Sequence, residues 1–189
     1  MEEISKTGFW NGETAHIHHV HSVELSNWIC NFLKDNKDKR VYDFGCGLGN
    51  YLKDLKDDGF TDLVGYEGDI PKNKVFSRMW EQDLTVPITD IYEKGNVISL
   101  EVGEHLPSEF QDIFIDNITN ACDNYLITSW AIRGQAGFGH VNCLDNHEII
   151  PEFEKRGFKY LPEESLDARS VIQDYCAWFR NTLLIFKKV

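Results

Sequence analysis

The sequence predicts an α/β fold in which helices cover both faces of a doubly wound, mostly parallel sheet. Short apolar strand candidates alternate with helical patterns along the chain. A glycine-rich turn at residues 45–49 joins a strand candidate to a helix candidate, as in α/β proteins that bind ligands at the ends of their strands. No repeat, composition shift or linker divides the 189 residues, so we expect a single domain over residues 1–189.

The predicted elements follow one another with short connections. In order, they are helix 23–33, strand 41–44, helix 51–59, strand 63–66, a helix end or short strand at 75–80, strand 96–100, helix 107–122, strand 125–130, helix 147–155, strand 158–161 and strand 182–187. Ser22 is expected to cap the first helix, Pro107 to stand in the first turn of helix 107–122, and Asp145-Asn146 to cap helix 147–155. The last strand leaves no room for a crossover helix before it, so we expect it to run antiparallel to its neighbour.

Composition and charge exclude several classes of function. Hydrophobic residues make up 42% of the chain and charged residues 26%, which is ordinary for a globular protein. Lys plus Arg number 19 against 31 Asp plus Glu, and the resulting net charge of −12 disfavours nucleic acid and anionic membranes as partners. We find no apolar run of the roughly 20 residues that span a bilayer and no signal peptide, so we expect a cytoplasmic protein.

The cysteines fit reduced thiols better than disulfides or a zinc site. They are odd in number, widely spaced and without a C-x-x-C pair. We expect them to serve mostly as small core residues. They are Cys30, Cys46, Cys122, Cys143 and Cys176.

The most informative stretch is the turn Asp43-Phe44-Gly45-Cys46-Gly47-Leu48-Gly49-Asn50. Its glycines let the backbone approach a ligand closely between a strand and a helix. The acidic Glu67 follows the next strand, where a carboxylate can accept hydrogen bonds from both hydroxyls of a ribose. The pattern indicates a ligand that contains a nucleoside.

The glycine spacing then separates two cofactor classes. A dinucleotide fingerprint places its third glycine where this chain has Asn50, which disfavours a nicotinamide-dependent oxidoreductase. Asp43 at the end of the strand is placed to meet a cation such as a methionine ammonium. These residues favour S-adenosylmethionine over a nicotinamide dinucleotide.

Four segments together resemble the class I S-adenosylmethionine-dependent methyltransferases, in particular the methyltransferase-23-like and methyltransferase-11-like branch. The segments are residues 41–49, 65–67, 82–84 and 99–107, the last reading Ser-Leu-Glu-Val-Gly-Glu-His-Leu-Pro. The resemblance covers about residues 20–189. It implies a Rossmann-like, seven-stranded sheet in a three-layer sandwich with the last strand antiparallel, and it implies S-adenosylhomocysteine as the product.

The resemblance also implies roles for individual residues. The glycine loop would lie beside the methionine part of the cofactor, Glu67 would bind the ribose, Asp83 would contact adenine, and Leu84 would pack on the adenine ring. Asp83 could instead simply start a turn, and Cys46 could be a small packing residue. The candidate cofactor-binding residues are Asp43, Gly45, Cys46, Gly47, Gly49, Tyr51, Glu67, Gly68, Gln82, Asp83, Leu84 and Glu101.

The candidate catalytic residues are His140, His105 and Glu101. A hydroxyl acceptor needs a base of near-neutral pKa, which histidine supplies. His140 lies in the glycine-flanked loop 134–142 after the fifth strand, where substrate should enter. His105 follows Glu101 and Glu104, which could raise its basicity, although in the family this histidine often packs against the cofactor or the next helix.

The N-terminal segment 1–22, ahead of a core at 23–189, contains a histidine cluster, Phe9 and Trp10. By resemblance the segment is expected to fold over the cofactor as a lid, the alternatives being a metal site or a surface loop without a role. The spacing in the cluster matches no metal motif, and Asp145-Asn146 does not stand where a catechol-type magnesium site would need it, so no metal is expected. The cluster consists of His16, His18, His19 and His21.

The sequence therefore predicts a methyltransferase that acts on a small-molecule or carbohydrate-like acceptor, at oxygen. The alternative is a non-catalytic S-adenosylmethionine-binding domain or partner subunit. Signatures of DNA amino-methyltransferases and of cytosine C5 enzymes are absent, which again disfavours nucleic acid. We expect a monomer or a homodimer.

Overall fold

The computed structural model describes residues 4–13 and 19–189, and its seven strands form one sheet. The strand order is β3-β2-β1-β4-β5-β7-β6. Strands β1 to β5 pair in parallel, whereas β7 runs antiparallel to both β5 and β6. This confirms the predicted seven-stranded sheet and its antiparallel last strand. The strands are β1 (Val41–Phe44), β2 (Leu63–Glu67), β3 (Met79–Glu81), β4 (Gly95–Ser99), β5 (Cys122–Ser129), β6 (Phe158–Tyr160) and β7 (Leu183–Lys188).

Helices cover both faces of the sheet and bury two apolar clusters. One cluster joins Leu25 and Leu52 to Ile185 of the sheet, and the other joins Phe114 and Ile149 to the opposite face. The three-layer arrangement is therefore as predicted. The helices are α1 (Val23–Phe32), α2 (Asn50–Asp57), α3 (Gln111–Asn120), α4 (Asn146–Glu154), α5 (Pro162–Ser170) and α6 (Phe179–Thr182).

Two helix starts confirm the capping residues expected from the sequence. Ser22 Oγ accepts a hydrogen bond of 3.2 Å from the backbone N–H of Leu25. At the start of α4, Asp145 is the N-cap, and its backbone N–H donates to Glu148 Oε2 at 3.0 Å. Both contacts satisfy donors that a helix N-terminus otherwise leaves unpaired.

Three element predictions were wrong in part. Helix α5 was not expected, because its buried residues are the small Ser165 and Ala168 and so it has no apolar stripe. Helix α3 begins only at Gln111, since Pro107 has extended backbone and precedes a single 3₁₀ turn. Of residues 75–80, only the last two belong to a strand, β3.

The topology places a ligand crevice at one edge of the sheet. The strand order reverses between β1 and β4, and in open α/β sheets ligands bind beyond the carboxyl ends of the strands at such a point. The turn after β1 and the loop that begins at Leu100 after β4 both open there. Among the described residues, all five cysteines are free, and Cys143 is the one that is not fully buried. None of the described helices has the length and apolarity to cross a membrane.

Candidate active site

A cavity of about 320 Å³ opens at the crevice. Its walls come from residues 7–10, the glycine turn, the ends of β2 and β4, and the loop 135–140. Twelve of the predicted site residues line it, whereas Gly47 and Gly49 do not. The twelve are Asp43, Gly45, Cys46, Tyr51, Glu67, Gly68, Gln82, Asp83, Leu84, Glu101, His105 and His140.

The glycine turn needs its glycines for backbone conformation and for close packing. Gly45, Gly47 and Gly49 have φ angles of 76°, 55° and 83°, in the left-handed region that disfavours side chains. A Cβ on Gly47 would lie 2.4 Å from the His19 ring, and one on Gly49 would lie 2.7 Å from Phe76 Cβ. The turn is therefore held tightly against its neighbours, and direct contact of these glycines with a cofactor stays a prediction.

Glu67 joins the turn after β1 to the turn after β2 by hydrogen bonds from its carboxyl group. Its Oε2 accepts from the backbone N–H of Gly47 at 2.7 Å, and its Oε1 accepts from the N–H of Gly68 at 2.8 Å. Burial raises the pKa of this carboxyl, while the two backbone hydrogen bonds favour its ionised form. The carboxylate thus sits at the cavity wall with its position fixed by two donors.

Asp43 is a buried carboxyl with an unsatisfied oxygen. The residue is 2% exposed, and Oδ2 makes no hydrogen bond to any residue that the structure describes. Burial, with repulsion from Glu67, raises the pKa of Asp43 to about 8. A cationic ligand group placed here would supply the missing partner and favour the charged carboxylate, so the ammonium of S-adenosylmethionine fits the site.

Asp83 starts a turn, which is the alternative to adenine contact that the sequence left open. Its Oδ1 accepts from Thr85 Oγ1 at 2.7 Å and from the Thr85 N–H at 2.9 Å. The neighbouring Gln82 is fixed by a backbone hydrogen bond of 2.8 Å from its N–H to the Glu67 carbonyl. Asp83 also lines the cavity, so the turn does not remove its predicted contact with adenine.

Glu101 lies at a strained turn on the opposite side of the cavity. Its φ of 53° places a residue other than glycine in the left-handed region, which is costly and is often found at functional sites. Ser129 Oγ accepts from the Glu101 N–H at 2.7 Å, and Gln135 Nε2 donates to Glu101 Oε2 at 2.7 Å. These contacts fix the carboxyl in the cavity wall.

The two competing histidines lie side by side. The ring centroids of His105 and His140 are 5.0 Å apart, with the rings nearly perpendicular. The prediction that nearby carboxylates raise the basicity of His105 is wrong, because burial, with repulsion from His140, lowers its pKa to about 4. His140 Nδ1 lies 3.2 Å from the Gln135 carbonyl oxygen, which orients the other ring nitrogen, Nε2, toward Glu104. His140 is thus the better candidate for a base.

Glu104 is the site residue that sequence analysis did not place. It is fully buried, neither of its oxygens accepts a hydrogen bond from the described residues, and its Oε1 lies 3.9 Å from His140 Nε2. Burial and the neighbouring Glu101 raise its pKa well above the usual range. The only signal in the sequence was its position three residues after Glu101 and directly before His105, which does not say where the side chain lies.

Comparisons with known proteins agree on the fold. No protein-family model matches the sequence, and no curated protein sequence does. The magnesium protoporphyrin IX methyltransferase ChlM from Synechocystis PCC 6803, solved with bound S-adenosylhomocysteine, superposes with a TM-score of 0.61 at 18% identity over 87% of this chain and 82% of that one. CalS10, an amino pentose methyltransferase from Micromonospora echinaspora, gives a TM-score of 0.65 at 9% identity over 87% and 90%. The chain has the class I methyltransferase fold.

The class I methyltransferase fold is also shared with a protein named for a different reaction. The [4+2]-cyclase SpnF superposes with a TM-score of 0.59 at 14% identity, over 98% of this chain and 84% of that one. The fold therefore indicates where a cofactor would bind without fixing the reaction.

The described N-terminal residues form part of the cavity wall. A Cβ on Gly68 would lie 2.3 Å from Phe9 Cβ, and the Trp10 ring lies 5.0 Å from that of His105. His21 also lines the cavity, and its Nε2 lies 3.0 Å from Asp54 Oδ2. His16 and His18 lie outside the described residues, so the predicted lid is represented here by residues 4–13 and 19–22.

Proposed function

We propose that the protein is an S-adenosylmethionine-dependent methyltransferase that acts on an oxygen of a small-molecule or carbohydrate-like acceptor. The observation that carries the proposal is one cavity that is lined both by the carboxyls Asp43 and Glu67 and by the imidazoles His105 and His140. The structural neighbours named above support a small acceptor, since their names give a porphyrin and an amino pentose as substrates.

At the cofactor end, the proposed contacts follow from the charges and donors of the cavity wall. Asp43 would pair with the cofactor ammonium, and Glu67 would accept from the ribose hydroxyls while keeping its backbone donors. Asp83 and Leu84 would contact adenine, and Tyr51, Gln82 and Gly68 would complete the wall. When bound, the cofactor supplies an electrophilic methyl group on a sulfonium.

At the acceptor end, the residues would align a hydroxyl and remove its proton. The new O–CH₃ bond forms as the S–CH₃ bond breaks, its electron pair stays on sulfur, and S-adenosylhomocysteine is the product. His140 Nε2 would take the hydroxyl proton, and the resulting imidazolium would face the Glu104 carboxyl. Neutral His105 and the fixed Glu101 would orient the acceptor.

The remaining parts of the proposal concern partners and location. We place the protein in the cytoplasm as a single methyltransferase domain, as a monomer or a homodimer. The net charge of −12 argues against a nucleic acid acceptor.

Replacing Glu67 by Ala is expected to weaken S-adenosylmethionine binding by roughly tenfold or more, because the ribose loses a charged acceptor. Isothermal titration of the wild type and the variant with S-adenosylmethionine, S-adenosylhomocysteine and NAD measures this directly. Glu81→Ala is the matched control, since the exposed Glu81 pairs with Glu67 in the β2–β3 register. Binding of NAD alone, or of none of the three ligands, would reject the proposed cofactor.

A non-catalytic S-adenosylmethionine-binding domain or partner subunit is the second candidate, because the fold alone does not fix the reaction, as the [4+2]-cyclase SpnF illustrates. A screen with S-adenosylmethionine tritiated on its methyl group over pooled small acceptors separates the two. Saturable label transfer that His140→Gln abolishes would reject the non-catalytic alternative. Tight cofactor binding without any transfer across the pools would favour it.

A further inference from the structure

Three metal-ligating side chains meet at the acceptor end of the cavity. Glu104 and His105 lie on the 3₁₀ turn after β4, and His140 lies on the loop after β5. One donor atom from each lies within 4.8 Å of the other two. The two loops are joined where the N–H groups of Val141 and Asn142 both donate to the Glu104 carbonyl at 2.9 Å. The cluster is therefore built by the fold and is not a chance meeting of mobile side chains.

Within the described part of the chain, the Glu104 carboxyl has no hydrogen-bond donor. It is 0% exposed, and neither of its oxygens accepts a hydrogen bond from residues 4–13 or 19–189. The neighbouring Glu101 Oε1 is buried without a hydrogen-bond partner among the same residues. A buried carboxylate without a counter-charge costs several kcal/mol, so such a group needs either a proton or a cation.

We propose that Glu104, His105 and His140 bind a divalent first-row transition-metal ion. Two imidazoles with a carboxylate suit Mn²⁺, Fe²⁺, Co²⁺ or Zn²⁺ better than Mg²⁺ or Ca²⁺, which prefer oxygen ligands throughout. When donor atoms lie about 2.0–2.2 Å from an ion, any two of them lie at most about 4.4 Å apart. Small rotations of the three side chains are therefore enough to bring their donor atoms to binding distance. Glu101 supplies a second carboxylate beside the ion, and two carboxylates balance a charge of +2.

The open side of the site faces the acceptor. Glu101, His105 and His140 all line the cavity, so coordination positions left free by the protein point into it. This part rests on the proposed function: the ion would hold an acceptor with two neighbouring oxygens, such as a vicinal diol. It would lower the pKa of the bound hydroxyl, whose proton leaves to water as the O–CH₃ bond forms and the S–CH₃ bond breaks. In this case His140 binds the metal ion and does not act as the base that removes the hydroxyl proton.

The test is metal titration of the EDTA-treated, dialysed full chain. Co²⁺ is the main probe, because its visible d–d bands report coordination by protein nitrogen, and Mn²⁺, Zn²⁺ and Mg²⁺ are titrated beside it by calorimetry. We expect about one Co²⁺ per chain and an affinity reduced by roughly 10- to 100-fold or more in Glu104→Gln, His105→Gln and His140→Gln. The controls His147→Gln and Glu109→Gln alter exposed residues and should bind as the wild type does.

Several results would overturn the proposal. The first is that the wild type does not bind Co²⁺, and the second is that Glu104→Gln binds Co²⁺ as tightly as the wild type does. The third is that a His16→Gln/His18→Gln variant loses Co²⁺ binding while Glu104→Gln keeps it. Glu104→Gln keeps the side-chain shape and removes a buried charge, so it should fold. Co²⁺ should raise the thermal midpoint of the wild type and not that of this variant.

Failure of the metal site and failure of the proposed function have different readouts. If Co²⁺ binds and S-adenosylmethionine does not, the metal site stands and the methyltransferase proposal fails. If S-adenosylmethionine binds and supports transfer in metal-free protein without any Co²⁺ binding, the cluster acts through protons alone and the metal proposal is overturned.

Discussion

Replacing Asp43 by Asn is expected to weaken S-adenosylmethionine binding by roughly 10- to 100-fold, because a charge-assisted contact with the ammonium is lost. The same change is expected to stabilise the ligand-free protein at pH 8. Both effects have one cause, the burial of a carboxyl whose Oδ2 has no partner among the described residues and would gain one from the proposed cofactor ammonium. Asp123→Asn, which alters an exposed residue of β5, is the control.

The pH dependence follows from the direction of the pKa shift. The pKa of Asp43 rises from 3.8 to about 8, so near neutral pH the folded protein holds a proton that the unfolded chain has released. Stability therefore falls as pH rises, by about 1–2 kcal/mol between pH 6.5 and 8 from this group alone. The neighbouring Glu67 and Cys46 also have raised pKa values. The pKa of His105 is lowered from 6.5 to about 4, so this group gives a smaller contribution of opposite sign, because the unfolded chain still binds part of a proton at pH 6.5.

Urea unfolding at pH 6.5 and pH 8 tests this expectation. Between pH 6.5 and pH 8, the free energy of unfolding should fall more in the wild type and in Asp123→Asn than in Asp43→Asn. In addition, S-adenosylmethionine binding at pH 7 should release a proton in the wild type, which calorimetry in buffers of different ionisation enthalpy detects. An Asp43→Asn variant with the same pH slope and the same proton release as the wild type would contradict the assigned protonation of Asp43.

Replacing Trp130 by Ala is expected to destabilise the protein by about 3–5 kcal/mol, the usual cost of removing a large aromatic residue from a core. The side chain is 1% exposed, and its Nε1 donates to the Asn142 carbonyl at 2.7 Å. The ring also fills the space beside Gly103, where a Cβ would lie 2.2 Å from it. Chemical denaturation measures the loss, with Trp80→Ala as the control because Trp80 is 59% exposed.

Trp130 also positions the two segments that carry the candidate catalytic histidines. It lies between the turn that carries Glu104 and the loop that carries His140 and contacts both through Gly103 and Asn142. The milder Trp130→Phe keeps most of the ring but leaves the Asn142 carbonyl without its donor. We expect this variant to fold, to keep its S-adenosylmethionine affinity, and to lose methyl transfer. Equal losses of binding and transfer would mean that Trp130 supports the whole fold and has no local effect on the site.

The fold was largely predictable because its local signals agree with one another. Strand β1 was placed with its exact bounds, since four apolar or buried residues precede a glycine that ends the strand. Helix α5 was missed because it packs through Ser165 and Ala168, and small residues carry no hydrophobic periodicity. Its start was nevertheless marked by Pro162 at the first turn, followed by two glutamates.

The sequence predicted twelve residues that line the cavity, but it predicted their arrangement only around the glycine turn. The glycine turn and Glu67 are fixed by short-range spacing along two adjacent parallel strands, and the sequence contains that spacing. Glu104 and His140 lie close together because Trp130 packs between two loops that are more than 30 residues apart in the sequence. No local sequence pattern indicates this packing. The lowered pKa of His105 likewise depends on burial, and burial is a property of the assembled cavity.

The N-terminal segment packs against two parts of the cavity wall with adjacent residues. Phe9 lies against Gly68, next to Glu67, while a Cβ on Gly8 would lie 2.3 Å from the carbonyl oxygen of His105. A ligand that orders this segment from either side lowers the entropic cost of ordering it for the other. Cofactor and acceptor should therefore bind with positive heterotropic cooperativity, and by thermodynamic reciprocity each should raise the affinity of the other by the same factor.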